Sequence, residues 1–141
     1  MALFQPDTNI ILHYVRDDDM SRRIEDQYKL ITGIDQPLIS VVIEGEIRTL
    51  AEEFGWSPAK RRRMENFLAL CIVVPIPFGT IVDSYVRVSE YSRRIGRSIG
   101  KNDLWIAATA ISTGATLLTT DKDFDHLDPL LLKRHWVDPS T

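Results

Sequence analysis

The length, composition and charge of this chain limit the classes of protein to which it can belong, before any motif is considered. Its 141 residues, 44% hydrophobic and 26% charged, are typical of one globular domain that buries its core without covalent staples. The single cysteine, Cys71, excludes an internal disulfide and a cysteine-based zinc cage, while the net charge of −3 neither indicates nor excludes a nucleic-acid partner.

The start of the chain indicates a cytoplasmic protein. Met1 leads into Ala2, Leu3 and Phe4 without a basic segment, and no apolar run is long enough to span a bilayer. We therefore expect neither a signal peptide nor an association with a membrane. Cys71 closes an apolar helical stripe, so we expect its thiol to be buried and inert.

Short apolar runs alternate with segments of helical periodicity along the whole chain. In chain order we predict a strand at 2–5, a helix that follows a cap at residue 8 or 9 and runs to about residue 16, a helix at 21–31, a strand at 38–42, helices at 43–54 and 58–71, a strand at 72–76, helices at 80–95 and 103–113, and strands at 116–118 and 135–137. Thr8 or Asn9 is expected to cap the first helix, and Gly114 to close the last one. The alternation predicts an α/β fold in which residues 1–141 form a single domain around a parallel sheet.

Four carboxylates lie where a predicted strand gives way to a turn or a helix. Asp7 follows the first strand, and Asp121 follows the strand at 116–118. Glu46 lies early in the helix after the second strand, and Asp103 opens an alanine-rich helix, whose dipole favours a carboxylate there. Ligand sites of open parallel sheets form beyond the carboxyl ends of the strands, so one site can gather all four acids. Their mutual repulsion would then require a cation, and oxygen ligands suit Mg²⁺ or Mn²⁺.

Each of these acids also has an ordinary structural explanation. Asp7 taken alone is well explained as a helix cap, and Asp103 as a first-turn helix acid. Periodicity hardly separates Glu46 from Glu44, and the acids that follow the strand at 116–118 suit a turn. We favour a shared site because the alternative requires four coincidences at one edge of one sheet.

Four motifs, in a fixed order, carry a family resemblance. They are Asp7-Thr8-Asn9, the segment 40–48 that ends in Glu46-Ile47-Arg48, the segment 102–110 and the segment 118–124. The ordered set resembles the PIN-domain ribonucleases, and most closely the VapC-type toxins of bacterial toxin–antitoxin pairs. Ile43 stands where such proteins often carry threonine. The resemblance implies a five-stranded parallel sheet between helices, and it selects Glu46 over Glu44.

The resemblance also implies a function and a set of site residues. The implied activity is metal-dependent endonucleolytic cleavage of RNA by a homodimer, whose site a small antitoxin protein blocks. The implied catalytic residues are Asp7, Glu46, Asp103 and Asp121. Among them, Asp7, Asp103 and Asp121 are the expected ligands of Mg²⁺ or Mn²⁺, while Glu46 and Asp123 are further candidates, directly or through water. Whether Asp121 or Asp123 faces the metal is open from sequence.

Neighbouring polar and basic residues complete the expected site. Asn9 and Thr119 are expected to hold carboxylates or water by hydrogen bonds. Positive charge before the Asp103 motif suits contact with RNA phosphates, and it comes from Arg93, Arg94, Arg97 and Lys101. A solvated helix end explains those residues equally well. The basic run 60–63 indicates the outer face of a helix, with an RNA-binding arm as the alternative.

Other functions fit the sequence less well. A catalytically inactive PIN domain that binds RNA or protein is the main alternative, but it would not need a complete acid set. A metal-free ribonuclease would need an acid–base pair, and His13, His126 and His135 lack a spacing that suggests one. A receiver-like or haloacid-dehalogenase-like site is disfavoured too, since Asn9 stands where the latter would place a second aspartate.

Overall fold

The computed structural model describes residues 2–140. In that part of the chain the five predicted strands and six predicted helices are all present, with ends that differ by a few residues. In chain order they are β1 (Phe4–Pro6), α1 (Thr8–Arg16), α2 (Asp19–Tyr28), β2 (Leu38–Ser40), α3 (Val41–Glu53), α4 (Pro58–Leu70), β3 (Ile72–Val74), α5 (Ile81–Arg94), α6 (Lys101–Thr113), β4 (Thr116–Thr119) and β5 (Arg134–Trp136). None of the helices within these residues is long and apolar enough to cross a bilayer.

Polar caps decide where the first and third helices begin, and they correct the predicted boundaries. Asp7 caps α1, in place of Thr8 or Asn9, because its carboxylate accepts a 2.8 Å hydrogen bond from the Thr8 N–H. The Ser40 hydroxyl accepts from the Val42 N–H, so α3 starts at Val41 and β2 ends at Ser40, two residues earlier than predicted.

Other helix ends follow the same chemistry. Asp18 caps α2 by accepting from the Ser21 N–H, which moves the start of that helix ahead of the predicted residue. Ser57 caps α4 and Pro58 occupies its first position. Gly114 ends α6 with a φ of 73°, a left-handed conformation that glycine adopts at low cost. The last two features confirm the prediction.

The strands pair only in parallel, in two hydrogen-bonded groups within the described residues. One group has the order β1-β4-β5, and the other pairs β2 with β3. The side chain of Gln5, fully buried, joins β1 to β2 by accepting from the Ser40 N–H at 2.9 Å. Its amide nitrogen donates to the Ile106 carbonyl of α6, also at 2.9 Å. The two groups therefore form one layer between helices, which confirms the predicted α/β fold.

The core contains most of the predicted apolar stripes. Ile43 and Ile47 of α3, Phe67 of α4 and Val88 of α5 are buried. Phe54 and Ile95, the last residues of the predicted helices 43–54 and 80–95, continue the apolar spacing of those helices but are 70% and 45% exposed. Each one directly follows the last residue of its helix, so its side chain leaves the buried face.

Small residues let α6 pack tightly against its neighbours. Ala107, Ala108 and Ala110 are buried, and α6 contacts both β2 and β4. This close approach also puts the Ile106 carbonyl within reach of Gln5 on β1. The first turn of α6 thereby comes to lie beside the carboxyl ends of the strands.

Two arginines of the basic run 60–63 bind the ends of earlier helices. Arg61 donates to the carbonyls of Ala51 and Trp56, and Arg63 donates to the Val15 carbonyl at 2.7 Å. The bonds to Ala51 and Val15 satisfy carbonyls in the last turns of α3 and α1, which have no partner within their own helix, while the bond to Trp56 ties α4 to the loop before it. The contacts favour a structural role for this run over an RNA-binding arm.

Cys71 lies half-buried at the end of α4. Its thiol faces the Phe67 carbonyl at 3.4 Å, and burial raises the pKa of the thiol to about 12. A thiol that is so hard to ionise is a weak nucleophile, in keeping with the expected inert role.

Candidate active site

The carboxyl ends of β1 and β4 bring two of the predicted acids to the same edge. Pro6 of β1 is in register with Leu118 of β4, and the Asp7 N–H continues the ladder by donating to the Leu118 carbonyl at 2.8 Å. Asp7 and Thr119 are therefore neighbours, and Asp121 follows two residues later. Parallel pairing is the reason why residues more than 110 positions apart meet here.

Asp7 is buried and hydrogen-bonded on both carboxylate oxygens. Oδ1 accepts from the Thr8 N–H at 2.8 Å, and Oδ2 accepts from the Thr119 hydroxyl at 2.9 Å. Burial nevertheless raises the pKa of Asp7 to about 6, helped by the charges of Glu46 and Asp121, although the two hydrogen bonds act in the opposite direction. The carboxylate both caps α1 and faces the other acids.

Asp103 lies in the first turn of α6 and faces the acids that follow β4. One carboxylate oxygen from each of Asp103, Asp121 and Asp123 lies within 4.8 Å of the other two. Burial raises the pKa of Asp103 to about 7, and the charges of Asp7, Asp121, Glu46 and Asp123 add to the rise. Three close carboxylates that repel one another form an arrangement that a divalent cation would stabilise.

The two acids after β4 belong to one ordered turn. The Asp121 N–H donates to the Thr119 hydroxyl, and the Asp123 N–H donates to Oδ1 of Asp121, both at 2.9 Å. An oxygen of Asp121 and an oxygen of Asp123 both lie within 4.8 Å of an oxygen of Asp103, although Asp123 is exposed and Asp121 is half-buried.

Glu46 reaches the site from α3 and is oriented by two hydrogen bonds. The Thr8 hydroxyl donates to Oε1 at 2.6 Å, and the Asn102 amide donates to Oε2 at 3.1 Å. Glu44 instead binds Arg48 at 2.9 Å. The structure therefore brings Glu46, and not Glu44, to the other acids.

Thr8 and Asn102 are site residues that the sequence reasoning missed. Both stand inside the recognised motifs, next to Asp7 and Asp103, but Thr8 was considered only as a helix cap and Asn102 was assigned no role. Asn9 and Thr119, which were both expected to hold carboxylates or water by hydrogen bonds, differ in the structure. Thr119 holds Asp7 as expected, whereas Asn9 lines the cleft without a described contact to a carboxylate.

An open cleft of about 620 Å³ leads to these acids. It runs between α1, α3 and the start of α6, and its lining includes Asn9, Thr49 and Glu53 as well as Asp7 and Asp103.

No lysine or arginine within the described residues forms an ion pair with an acid of this cluster. Two nearby cations have other partners, since Arg48 pairs with Glu44 and Glu65, and the Lys122 ammonium lies over the ring of Trp136. The cluster consequently offers hard oxygen donors and an uncompensated negative charge. That donor set fits Mg²⁺ or Mn²⁺, and the absence of sulfur and imidazole makes a zinc site a poor fit.

The basic residues near the site differ in their surroundings. Arg93, Arg94, Arg97 and Lys101 are all exposed, and Arg93, near the end of α5, also pairs with Glu90. Lys101 begins α6, two residues before Asp103. The candidate phosphate-binding charges thus lie on the segment that leads to the cluster.

The three histidines have separate structural contacts. His13 binds Asp18 at 2.7 Å, His126 binds the Ser92 hydroxyl at 2.8 Å, and His135 packs on the ring of Phe4. They do not form an acid–base pair at the cleft, which agrees with the argument from their spacing.

Known proteins resemble this chain in sequence and in fold. Residues 6–130 match the PIN domain. Ribonuclease VapC1 from Haemophilus influenzae (strain R2866) is 27% identical over 130 residues, which cover 91% of this chain and 94% of that protein. VapBC2 from Rickettsia felis, solved with a DNA fragment from its promoter, aligns with a TM-score of 0.79 at 21% identity, over 96% of this chain and 99% of the matched one. VapBC-5 from Mycobacterium tuberculosis, a member of the VapBC family of toxin–antitoxin systems, aligns with a TM-score of 0.72 at 22% identity. The alignment covers 97% of this chain and 100% of the matched one.

Proposed function

This chain belongs to the PIN-domain family, and from that premise we propose that it is a metal-dependent endoribonuclease, the toxin of a toxin–antitoxin pair. The observation that carries the proposal is the cluster of carboxylates at the carboxyl edge of the sheet, which has no lysine or arginine partner within the described residues. A folded protein retains such repulsion at a cost to its stability, and a functional cation site explains why it is retained.

Asp103, Asp121 and Asp7 are the proposed metal ligands, with Glu46 and Asp123 binding directly or through water. A bound Mg²⁺ or Mn²⁺ would lower the pKa of a water molecule for attack on a phosphodiester and offset charge on the departing oxygen. The chain itself supplies orientation. The Thr119 hydroxyl donates to Asp7 at 2.9 Å and so orients this carboxylate.

Glu46 is held for the same task from both sides of the cleft. The bonds from Thr8 and Asn102 use both of its carboxylate oxygens and aim the group at the other acids. RNA would enter along the open cleft, and Lys101 and Arg97 would contact its phosphates. An unpaired RNA strand suits this site, since its backbone can bend into the cleft.

The likeness to VapC proteins supports the rest of the proposal. Ribonuclease VapC1 and the VapBC systems bear names that refer to ribonuclease and toxin–antitoxin function. By analogy we propose a small antitoxin protein as the partner that blocks the cleft, a homodimer as the assembly and the cytoplasm as the place of action. Light scattering on the purified chain, alone and co-expressed with the product of a neighbouring small reading frame, would measure both associations.

The test of the activity uses purified full-length chain and total cellular RNA. We expect cleavage with Mg²⁺ or Mn²⁺ that stops in excess chelator and returns when metal is restored. Asp7→Asn and Asp103→Asn should each reduce the rate at least about a hundredfold, the scale on which metal sites and charge-stabilising groups act. Asp26→Asn, an exposed acid of α2, is the matched control and should cleave at the wild-type rate.

Two outcomes would contradict the proposal. Cleavage by Asp7→Asn at the wild-type rate would remove this carboxylate from the mechanism. Binding of RNA without metal-dependent cleavage would favour the alternative, a catalytically inactive RNA-binding or protein-interaction PIN domain.

A further inference from the structure

The turn after β4 contains a cation between two acids of the proposed metal site. Asp121 and Asp123 flank Lys122, and both carboxylates lie within 4.8 Å of an oxygen of Asp103. A lysine in this place would ordinarily move toward the carboxylates and compensate their charge. It would then compete with any divalent cation for the same oxygens.

Trp136, at the end of β5, holds this turn by two contacts. Its indole N–H donates to the Thr120 carbonyl at 3.0 Å, and the Lys122 ammonium lies 4.8 Å from the centre of its ring. Both contacts reach the turn from the next strand of the sheet. The neighbouring backbone bond, from the Val137 N–H to the Thr119 carbonyl at 2.8 Å, joins the same two segments.

The turn held by Trp136 connects directly to the carboxylates. Thr120 lies between Thr119, whose hydroxyl donates to Asp7 and accepts from the Asp121 N–H, and Asp121 itself. A shift of the Thr120 carbonyl would therefore move the contacts of Asp7 as well as of Asp121. Trp136 also lies beyond residues 6–130, the part of the chain that matches the PIN domain.

We propose that Trp136 is a positioning residue for the acidic turn and holds the Lys122 ammonium away from the metal-binding carboxylates. The indole N–H keeps the turn in the conformation in which Asp121 and Asp123 face Asp103. The ring gives the ammonium a favourable alternative partner, because a cation over an aromatic face is attracted by the quadrupole of the ring. This inference rests on the proposed function, in that the cation concerned is the proposed catalytic metal.

The experiment compares full-length variants by two measurements. Calorimetry measures the affinity for Mn²⁺ alone, and hydrogen exchange of the metal-free protein measures protection of the Asp121 and Asp123 amides. Trp136→Phe removes the N–H and keeps a ring, Trp136→Leu removes both, and Lys122→Gln removes the cation. Trp56→Leu, at a half-buried tryptophan before α4, is the matched control for loss of an indole.

We expect Trp136→Leu to weaken Mn²⁺ binding by about tenfold or more, the range found when groups that orient metal ligands are removed. The Asp121 and Asp123 amides should exchange faster in this variant. Adding Lys122→Gln to Trp136→Leu should recover several-fold of the affinity, since the freed ammonium is then gone. Trp136→Phe should fall between the wild type and Trp136→Leu, and Trp56→Leu should bind Mn²⁺ as the wild type does.

Several outcomes would overturn the inference. Unchanged Mn²⁺ affinity together with unchanged amide exchange in Trp136→Leu would reject the positioning role. An equal loss of Mn²⁺ affinity in Trp56→Leu would mean that the loss in Trp136→Leu comes from general destabilisation. A loss that Lys122→Gln does not relieve would reject the part assigned to the lysine. If the wild-type chain binds no Mn²⁺, the proposed function fails, while amide exchange still decides whether Trp136 orders the turn.

Discussion

At the level of single residues, Asp7 combines two roles with opposite electrostatic requirements. As the cap of α1 it accepts a backbone hydrogen bond, which favours the ionised carboxylate. As a buried member of an acid cluster it has a pKa raised to about 6, chiefly by burial. A rise from 3.8 to about 6 corresponds to a cost of about 3 kcal/mol for ionising Asp7 in the folded, metal-free protein.

This cost predicts that Asp7→Asn stabilises the metal-free chain while abolishing cleavage. Asparagine still caps a helix well and carries no charge, so we expect the free energy of unfolding to rise by about 1–3 kcal/mol at neutral pH. Chemical denaturation in chelator would measure the change.

A second helix cap provides the control for this prediction. Although partial burial acts in the opposite direction, the hydrogen bonds from His13 and Ser21 hold the pKa of Asp18 below its ordinary value. Asp18→Asn should therefore lose stability where Asp7→Asn gains it. A loss in both variants would mean that repulsion at Asp7 is not a significant cost.

Single residues also show where sequence reasoning reached its limit. The motif selected Glu46 over Glu44, and the structure brings Glu46 to the other acids while Glu44 binds Arg48. The choice between Asp121 and Asp123 was open because both lie in one irregular turn. Such a turn has no periodicity from which to read which side chain faces the site. In the structure the oxygens of both come close to Asp103.

At the level of elements, the contact between β1 and β2 depends on a side chain. Gln5 occupies a buried position where an apolar residue would be expected, and its amide supplies a donor and an acceptor that the backbone ladder lacks there. Sequence patterning predicted a strand at this position but gave no indication of a bridge between two halves of a sheet.

Replacing Gln5 by methionine should destabilise the fold. The change preserves volume but leaves the Ser40 N–H buried without a partner and removes the second hydrogen bond to the Ile106 carbonyl, at a cost of about 1–3 kcal/mol. Urea denaturation at constant metal concentration would measure the loss. Gln27→Met, at an exposed glutamine of α2, should change stability by less than about 0.5 kcal/mol. Equal stability of the two variants would contradict the bridging role.

The loop after α5 and the first residue of α6 carry the proposed RNA contacts. Within a cleavage-deficient Asp103→Asn background, Arg97→Ala and Lys101→Ala should each weaken binding of a single-stranded RNA. Each should also reduce the slope of log affinity against log salt by about 0.7, the value per phosphate contact on single strands. Arg62→Ala, at an exposed arginine of α4, is the matched control and should leave the slope unchanged. A slope unaffected by any of the three would support the solvated-helix interpretation.

At the level of the whole molecule, protonation, metal binding and stability are linked through the acid cluster. The pKa values of Asp7 and Asp103 are raised to about 6 and about 7, so the folded metal-free chain retains protons that the unfolded chain has released. The contribution of these two groups to stability is fully present below about pH 3.8, the pKa of both groups in the unfolded chain. It is lost as the pH rises through 6 and 7, because the two buried carboxyls then ionise. A divalent cation binds the ionised forms and should reverse this loss.

We therefore expect the melting temperature of the metal-free chain and the increase that metal causes in it to change with pH in opposite directions. The melting temperature in chelator should fall between about pH 5 and pH 8, and the increase on adding Mg²⁺ should grow over the same range. The double variant Asp7→Asn, Asp103→Asn should show neither trend. An Mg²⁺ effect that is as large at the acidic end as at the alkaline end would contradict the linkage.

The sequence by itself determined the succession of strands and helices and the identity of the acids at their junctions. Those features depend on local physics: apolar periodicity, capping side chains and the short motifs around each carboxylate. Only the tertiary structure decided which side chains meet. Parallel pairing placed Thr119 against Asp7, helix packing placed Thr8 and Asn102 against Glu46, and β5 placed Trp136 over the acidic turn. Such contacts join residues far apart in the chain, and their geometry exists only once the strands and helices have packed together.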